Sequence, residues 1–206
     1  MTFIEREALK MPSYIVPQDD RDFLEAYCRD DLTRTSISRE RQTQRRQLLN
    51  RHAMAFTLEE LRARHPGSTV VDANTIKMNN PGYDILIDDR IRIQVKGRCW
   101  KEMIDFAIPA LEKEKAWQSD FWIAVDFAGL INGCFGRYAN TTEMAPNGQI
   151  DPYTLPTAFL RKIAEDGFAT SKRPRIRAIK PGSQYSKRHH MPELFRFKGN
   201  WSITGA

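Results

Sequence analysis

Two short runs of alternating apolar and polar residues constrain the fold more than any other part of the chain. They occupy residues 83–87 and 91–95, and Asp88, Asp89 and Arg90 stand between them. Successive side chains of a strand point to opposite faces of a sheet, so each run predicts a half-buried β-strand. The three polar residues between the runs predict that the two strands form a hairpin.

The register of this hairpin follows from burial. A two-residue loop would place Ile85 opposite Gln94 and would mix apolar with polar side chains on each face. A three-residue loop places Ile85 opposite Ile93 and keeps all the isoleucines on one face. Because a slip of one residue moves the whole apolar set into water, the second register is the one we expect.

The expected register brings three polar side chains to the other face. Asp84 lies directly opposite Gln94, and Lys96 lies on the diagonal, within reach across the two strands. A carboxylate and a backbone carbonyl, such as that of Val95, are ligands that Mg²⁺ prefers. A lysine beside them can orient or deprotonate a water molecule directed at a phosphodiester. The alternative is a solvated hairpin face with a cross-strand ion pair.

The remaining patterns predict a mixed α/β protein with helices on a sheet. Ser38 predicts the start of a long helix that Pro66-Gly67 ends, and Thr57 is an alternative start for a second helix. Residues 101–108 fit either a helix or a strand. The other predicted elements are helices at residues 19–30, 38–64, 111–118 and 159–165, and strands at 69–72, 121–127 and 135–138.

With this order of elements, Asp84 and the Gln94-x-Lys96 motif resemble the PD-(D/E)XK nuclease superfamily, which includes restriction endonucleases. The resemblance covers residues 48–127. It implies a restriction-endonuclease-like core, a mixed β-sheet flanked by helices in the order α-β-β-β-α-β. Residues 46–206 would form this nuclease-like domain with its basic C-terminal segment, and residues 1–45 would be an N-terminal helical extension.

The resemblance also assigns roles to residues. Asp84 would bind the metal, Lys96 would be the catalytic lysine, and the Val95 carbonyl would be a further metal ligand. Gln94 stands where Glu or Asp is usual, which removes one negative charge from the site. The family often adds a glutamate from the preceding helix, for which Glu59 and Glu60 are candidates, although glutamate near a helix start also suits capping.

The function implied is a Mg²⁺-dependent, restriction-type endonuclease that cuts DNA, with Mn²⁺ as a substitute ion. A homodimer is expected, since one active site cuts one strand. The second hypothesis is a module of the same fold that binds DNA or RNA without cleaving it, with Gln94 as the trace of lost activity. The third is a basic interaction protein with no nucleic-acid partner.

The charge of the chain permits a polyanionic partner. Its 206 residues include 32 Lys and Arg against 26 Asp and Glu, a net charge of +6. Residues 172–188 carry no acid, and Pro174, Pro181 and Gly182 predict a loop there. This segment is a candidate phosphate-binding surface, the alternative being a solvated loop. Its candidate nucleic-acid contacts are Lys172, Arg173, Arg175, Arg177, Lys187 and Arg188.

A cytoplasmic protein without a membrane segment is expected. No run approaches the ~20 apolar residues that span a bilayer, and the first residues do not resemble a signal peptide. Cys28, Cys99 and Cys134 are few and far apart. This spacing argues against a disulfide framework and against a cysteine zinc site.

Overall fold

Two consecutive helices cover one face of the sheet. They are α1, Gln18–Leu32, and α2, Arg39–Arg64. Ser38 caps α2, since its side-chain oxygen accepts a hydrogen bond from the Arg41 backbone N–H at 3.2 Å. Helix α2 runs unbroken past the buried Thr57, so the alternative in which Thr57 starts a second helix is wrong. Helix α2 also continues across residue 45, the expected boundary between the N-terminal extension and the nuclease-like domain. The buried side chains of α2 join the same core as the sheet.

The structure, a computed structural model, describes residues 14–32, 36–76, 82–100, 103–131, 148–168, 175–180 and 192–203. The strands within these ranges are β1 Val70–Asp72, β2 Ile85–Ile87, β3 Ile91–Arg98, β4 Met103–Ala107, β5 Phe121–Asp126, β6 Asp151–Pro156 and β7 Arg175–Ile179. The main sheet has the order β1-β2-β3-β5-β6, in which β3 and β5 are parallel and the other neighbours antiparallel. The expected mixed sheet flanked by helices is confirmed.

The remaining elements are short. A separate antiparallel pair joins β4 and β7. Helix α3, Ala73–Ile76, follows β1 directly, and helix α4, Thr157–Ile163, follows β6 and continues into a π-helical turn. The 3₁₀ turns are Glu114–Trp117 and Pro192–Phe197.

Two apolar cores lie on opposite faces of the main sheet. Ile93 and Val95 point toward α2 and join the first core, in which Trp201 packs on Phe56 at a ring-centroid distance of 5.9 Å. Trp122, on the neighbouring strand β5, points the other way into the second core, beneath β4, β7 and α4. The side chains of Gln94 and Lys96 therefore face away from α2, whereas Arg98, at the end of the strand, reaches Asn50 of the helix.

The predicted helix at residues 111–118 is wrong. A turn at residues 111–112 and the 3₁₀ turn Glu114–Trp117 occupy this segment. Trp117 is its one buried side chain, four exposed charged residues (112–115) stand before it, and one turn of α-helix is too costly to nucleate alone. The ambiguous residues 101–108 include strand β4, and the predicted strand at 135–138 lies outside the described residues.

Strands β6 and β7 were not predicted from the sequence. The segment of β7 was expected to be a loop, which is wrong. Its alternation is nevertheless visible, because Ile176 and Ala178 are fully buried while Arg175 and Arg177 are partly exposed. The pairing of β7 with β4 spans about 70 residues of sequence, which no local pattern indicates.

Gly97 sets the distance between α2 and the central strand β3. A Cβ atom at this position would lie 2.0 Å from the Leu49 carbonyl oxygen and 2.9 Å from the Ala53 Cβ. Only glycine lets the backbone of a helix approach a strand this closely. The Gly97 N–H also donates a hydrogen bond to Asn50 Oδ1 at 3.1 Å, so the contact is both tight and polar.

Replacing this glycine should therefore loosen the layer. We expect Gly97→Ala to lower the free energy of unfolding by about 1–3 kcal/mol, since the helix must move away from the strand. Gly67→Ala is the matched control, because nothing lies within 4 Å of a Cβ atom there. Urea denaturation of both variants checks this. Equal stability of the two variants would contradict the proposed role of Gly97.

Cys99 is disulfide-bonded, a bond that the argument against a disulfide framework did not anticipate, while Cys28 has a buried thiol. The sequence has no motif that would have predicted this bond. In the described ranges, every helix is too short or too polar to cross a membrane.

Candidate active site

The hairpin has the expected register. Ile85 pairs with Ile93 and Ile87 pairs with Ile91, so the apolar side chains share one face. All four are buried, at no more than 9% exposure. The prediction of a three-residue loop is confirmed, and the physical reason is the one the sequence indicates: the isoleucines cannot be moved into water.

The loop is closed by two aspartates in the left-handed region. Asp88 and Asp89 have φ values of 49° and 55°, a conformation that aspartate tolerates better than most residues. The Arg90 N–H donates to the Ile87 carbonyl at 3.0 Å. Asp88 Oδ1 accepts a hydrogen bond from the Thr69 N–H at 2.7 Å, which lowers the pKa of Asp88 and ties β1 to the hairpin.

Asp84 and Gln94 meet on the opposite face. Asp84 Oδ2 accepts hydrogen bonds from the Gln94 side-chain amide and from the Val95 N–H, the latter at 2.8 Å. Gln94 Nε2 also lies 3.5 Å from the Val95 carbonyl oxygen. The Asp84 N–H also donates to the Ile93 carbonyl at 2.7 Å, so the backbone pairing of the two strands extends beyond the pair Ile85 and Ile93.

Lys96 lies on the same face of β3 and is largely buried. Burial lowers the pKa of its ammonium below the ordinary value; the charge of Asp84 opposes this shift and that of Arg98 adds to it. Lys96 Nζ lies 5.8 Å from the centre of the Trp122 ring. The ammonium thus lies over an aromatic ring and near the Asp84 charge, and burial favours its neutral form compared with an exposed lysine.

The Asp84 carboxyl has the opposite shift. Burial raises its pKa above the ordinary value, and the Lys96 ammonium, the Val95 N–H and the Asn74 side chain oppose that rise. Asp72 adds a second carboxylate whose charge raises the pKa further. Sequence reasoning missed Asn74 and Asp72, because the pairing of β1 with β2 that brings them near has no local signal.

Glu60 is not part of this patch. Its side chain is 2% exposed, and its Oε2 accepts a hydrogen bond from Arg64 Nε at 3.0 Å. It lines a cavity with Phe56 and Trp201, on the face of the sheet that α2 covers. Gln94 and Lys96 point to the other face, so the structure does not bring Glu60 to them. The other candidate, Glu59, is exposed on α2.

The oxygen atoms of the patch suit a hard cation. Asp84 offers a carboxylate, Val95 a carbonyl, and Gln94 a carboxamide oxygen if its terminal group turns round. Mg²⁺ commonly uses one or two carboxylates and keeps several waters, so this donor set fits it. In the ranges that the structure describes, no group of three or more His, Cys, Asp or Glu side chains gathers at one point. Gln94 is therefore needed as a ligand if Asp84 is to hold an ion with so few acids.

Two of the predicted nucleic-acid contacts are described. Arg175 and Arg177 lie on β7, and Asp105 of β4 lies between them, at 2.6 Å from Arg175 Nε and 3.6 Å from Arg177 Nε. One carboxylate thus offsets part of their charge. The other four, Lys172, Arg173, Lys187 and Arg188, lie outside the described residues.

Comparisons with models of known protein families, with curated proteins and with solved structures gave no significant match to this chain. The geometry and the chemistry of the hairpin patch are therefore the basis for assigning a function.

A double-mutant cycle measures the coupling of Asp84 and Lys96. Burial lowers the Lys96 pKa, so this lysine destabilises the fold as pH falls and the amine becomes protonated. Burial raises the Asp84 pKa, so this aspartate destabilises the fold as pH rises and the carboxyl becomes ionised. At neutral pH both charges thus cost stability. We expect the double variant Asp84→Asn/Lys96→Met to be more stable than the sum of the two single variants predicts, because each single variant leaves the remaining charge buried without its opposite neighbour. The coupling energy, measured by urea denaturation, should be about 1–3 kcal/mol.

Asp105 and Arg175 form the control pair for this cycle. They also join neighbouring strands, but their side chains are 25% and 40% exposed. Their coupling, measured with Asp105→Asn and Arg175→Gln, should be under about 1 kcal/mol. A coupling at Asp84 and Lys96 no larger than this would contradict the buried-pair interpretation.

Proposed function

We propose that the chain is a metal-dependent nuclease that hydrolyses phosphodiester bonds of DNA, with Mg²⁺ as the cofactor and Mn²⁺ as a substitute. One observation carries the proposal: Asp84, Gln94, the Val95 carbonyl and Lys96 converge on one patch of a hairpin in a mixed sheet. This is the arrangement that the resemblance to PD-(D/E)XK nucleases implies. Within that superfamily, the proposed activity is that of a restriction-type endonuclease.

The metal would be held by Asp84, by the Val95 carbonyl and by Gln94 through its carboxamide oxygen. At present the Gln94 amide nitrogen meets Asp84, so this role requires the terminal carboxamide to rotate. When bound, the ion would offset the charge that develops on the phosphoryl oxygens and would lower the pKa of a nearby water molecule. The Val95 N–H and Asn74 would keep the Asp84 carboxylate in place.

Lys96 would act as the general base. In the proposed reaction, the oxygen of a water molecule attacks phosphorus, a new P–O bond forms, and the bond from phosphorus to the leaving sugar oxygen breaks. The neutral amine of Lys96 accepts the proton of the attacking water, and the leaving oxygen takes a proton from solvent. Burial favours the neutral amine, which is the form that a general base requires.

A homodimer follows from the proposed reaction. Each chain contributes one Asp84–Lys96 patch, and one patch cuts one strand at a time. Cleavage of both strands at one site is accomplished most simply by two copies related by a twofold axis. The proposal also places the protein with DNA in the cytoplasm. A disulfide at Cys99 is atypical of that reducing compartment, so the bond would have to form under oxidising conditions.

The second candidate function is a module that binds DNA or RNA without cleaving it. One observation favours it: Gln94 is neutral and its amide donates to Asp84, so the patch has a single carboxylate at its centre. Such a module would shift nucleic acid in a gel in a salt-sensitive way and form no metal-dependent product. Gln94→Glu would then be the change to test for recovered cleavage.

Plasmid cleavage tests the nuclease proposal. Purified protein is incubated with supercoiled plasmid in Mg²⁺, in Mn²⁺ and in chelator. We expect metal-dependent products, and a loss of at least about 100-fold in rate for Asp84→Asn and for Lys96→Met, because each removes a group that acts on the reacting atoms. Linear product without nicked circles would indicate two cooperating copies; accumulation of nicked circles would indicate one strand per encounter.

Two substitutions at exposed positions serve as matched controls. Asp89→Asn repeats the chemistry of Asp84→Asn at the tip of the hairpin, and Lys113→Met repeats that of Lys96→Met at an exposed position. Both should keep full activity. If Asp84→Asn cleaves as fast as Asp89→Asn, the proposed site is wrong and the products come from another nuclease.

The pH dependence of cleavage tests the role of Lys96. Below its lowered pKa the lysine is protonated and cannot accept the proton of water. The rate should therefore rise with pH, by about tenfold per unit on that limb, and level off once Lys96 is neutral. The limb should reach its plateau below the ordinary lysine range. Lys113→Met should keep this profile, whereas a Lys96→Met enzyme with the same limb would exclude Lys96 as the base.

A further inference from the structure

Four arginines line a cavity beside the end of β3. Three of them come from the first two turns of α2, and the fourth is the last residue of β3. The cavity has a volume of about 390 Å³, and none of the described residues that line it is acidic. We call this cavity the arginine pocket; its arginines are Arg39, Arg45, Arg46 and Arg98.

The hydrogen bonds of the two inner arginines go to neutral oxygens. Arg45 Nη2 donates to the Cys99 carbonyl at 3.2 Å, while its Nε is buried without a hydrogen-bond partner among the described residues. Arg98 Nη1 donates to Asn50 Oδ1 at 3.3 Å and to the Gly97 carbonyl at 2.6 Å. A carbonyl or amide oxygen satisfies a donor but does not balance a charge.

Other arginines nearby are paired with acids. Arg41, on the same helix, lies 2.6 Å from Asp30, and Arg175 lies 2.6 Å from Asp105. Within the described part of the chain, none of the four arginines of the pocket forms such a pair. Among the described residues, the pocket is thus a positive site without a paired acid, whereas the nearby Arg41 and Arg175 each have one.

Burial and crowding both affect Arg98. Burial lowers the pKa of its guanidinium, and the nearby charges of Arg45, Arg46 and Arg175 lower it further. Like charges held this close repel one another, and an anion placed among them would remove that repulsion. The Arg45 guanidinium also stacks 4.8 Å from the centre of the Tyr27 ring, which holds it in position without neutralising it.

The position of the pocket indicates which anion it would bind. Arg98 is two residues beyond Lys96 on β3, a separation of about 6.6 Å along a strand. Its charge is close enough to contribute to the lowered pKa of Lys96. Planar guanidinium groups bind phosphate oxygens in pairs, which is the geometry that several converging arginines offer.

We propose that the arginine pocket binds a phosphate group of the DNA strand whose neighbouring phosphodiester lies at Asp84 and Lys96. The naming of DNA rests on the proposed function, whereas the uncompensated charge of the pocket does not. The phosphate has two sources of the same chemistry: an internal diester of the strand or a monoester at its end. Either would set the position of the strand relative to the hairpin patch.

Binding measured without cleavage tests this proposal. A labelled DNA duplex is titrated with full-length protein in chelator, and fluorescence anisotropy is recorded at several salt concentrations. Arg45→Gln, Arg46→Gln and Arg98→Gln should each weaken binding by about tenfold or more, because each removes charge-assisted hydrogen bonds. The slope of log K against log salt should fall by about 0.9 for each phosphate that the variant no longer neutralises.

Arg90→Gln is the matched control. Arg90 is exposed in the hairpin loop, at the opposite end of β3 from Arg98. Arg90→Gln removes one positive charge, as each of the pocket variants does. It should change neither the affinity nor the slope by a comparable amount. Arg46 is exposed, so Arg46→Gln remains informative even if Arg98→Gln fails to fold. Equal binding by Arg46→Gln, Arg45→Gln and Arg90→Gln would overturn the proposal.

Two further comparisons separate the possible outcomes. The same duplexes are prepared with and without terminal phosphates. If the defect of Arg46→Gln disappears without a terminal phosphate, the pocket binds a strand end; if the defect persists, it binds an internal phosphate. Either result supports the pocket. Pocket-dependent binding without any metal-dependent cleavage would retain the pocket and reject the nuclease. Cleavage at the Asp84 patch with unaltered binding by the pocket variants would retain the nuclease and reject the pocket.

Discussion

The close approach of α2 to β3 at Gly97 is the constraint on which the site depends. Because glycine has no side chain, the Leu49 backbone reaches the strand directly, and Asn50 accepts the Gly97 N–H. This contact holds the first turns of α2 beside the end of β3. It therefore places Arg45 and Arg46 near Arg98 at the end of the strand, while Lys96, two residues earlier, lies against Trp122 on the face away from the first core.

The hairpin is the part of the site that the sequence predicts correctly. Its alternation is regular, its loop is polar, and only one register buries every isoleucine. The meeting of Asp84 with Gln94 follows from that register without any knowledge of the rest of the fold. The long helix with its Ser38 cap and the buried strand β5 are predicted for the same reason, since each has a strong local pattern.

Features that depend on distant parts of the chain could not be predicted in this way. Strands β4 and β7 pair across some 70 residues, and the arginine pocket joins the start of α2 to the end of β3. Glu60 illustrates the same limit. Its place on the helix before the hairpin suggested a metal ligand, but the face of the sheet on which α2 packs is a tertiary property. In the folded chain Glu60 is buried and accepts a hydrogen bond from Arg64, away from Asp84 and Lys96.

The distribution of charge suggests why a glutamine could serve where an acid is usual. Asp84 lies beside Lys96, with Arg98, Arg45 and Arg46 beyond it, so positive charge dominates this end of β3. A bare divalent cation would be repelled by these groups, and one carboxylate offers it little compensation. A phosphate bound among the arginines would supply the missing negative charge. Under the proposed function, cation and DNA would then bind cooperatively, and the neutrality of Gln94 would make the cation depend on the substrate rather than prevent its binding.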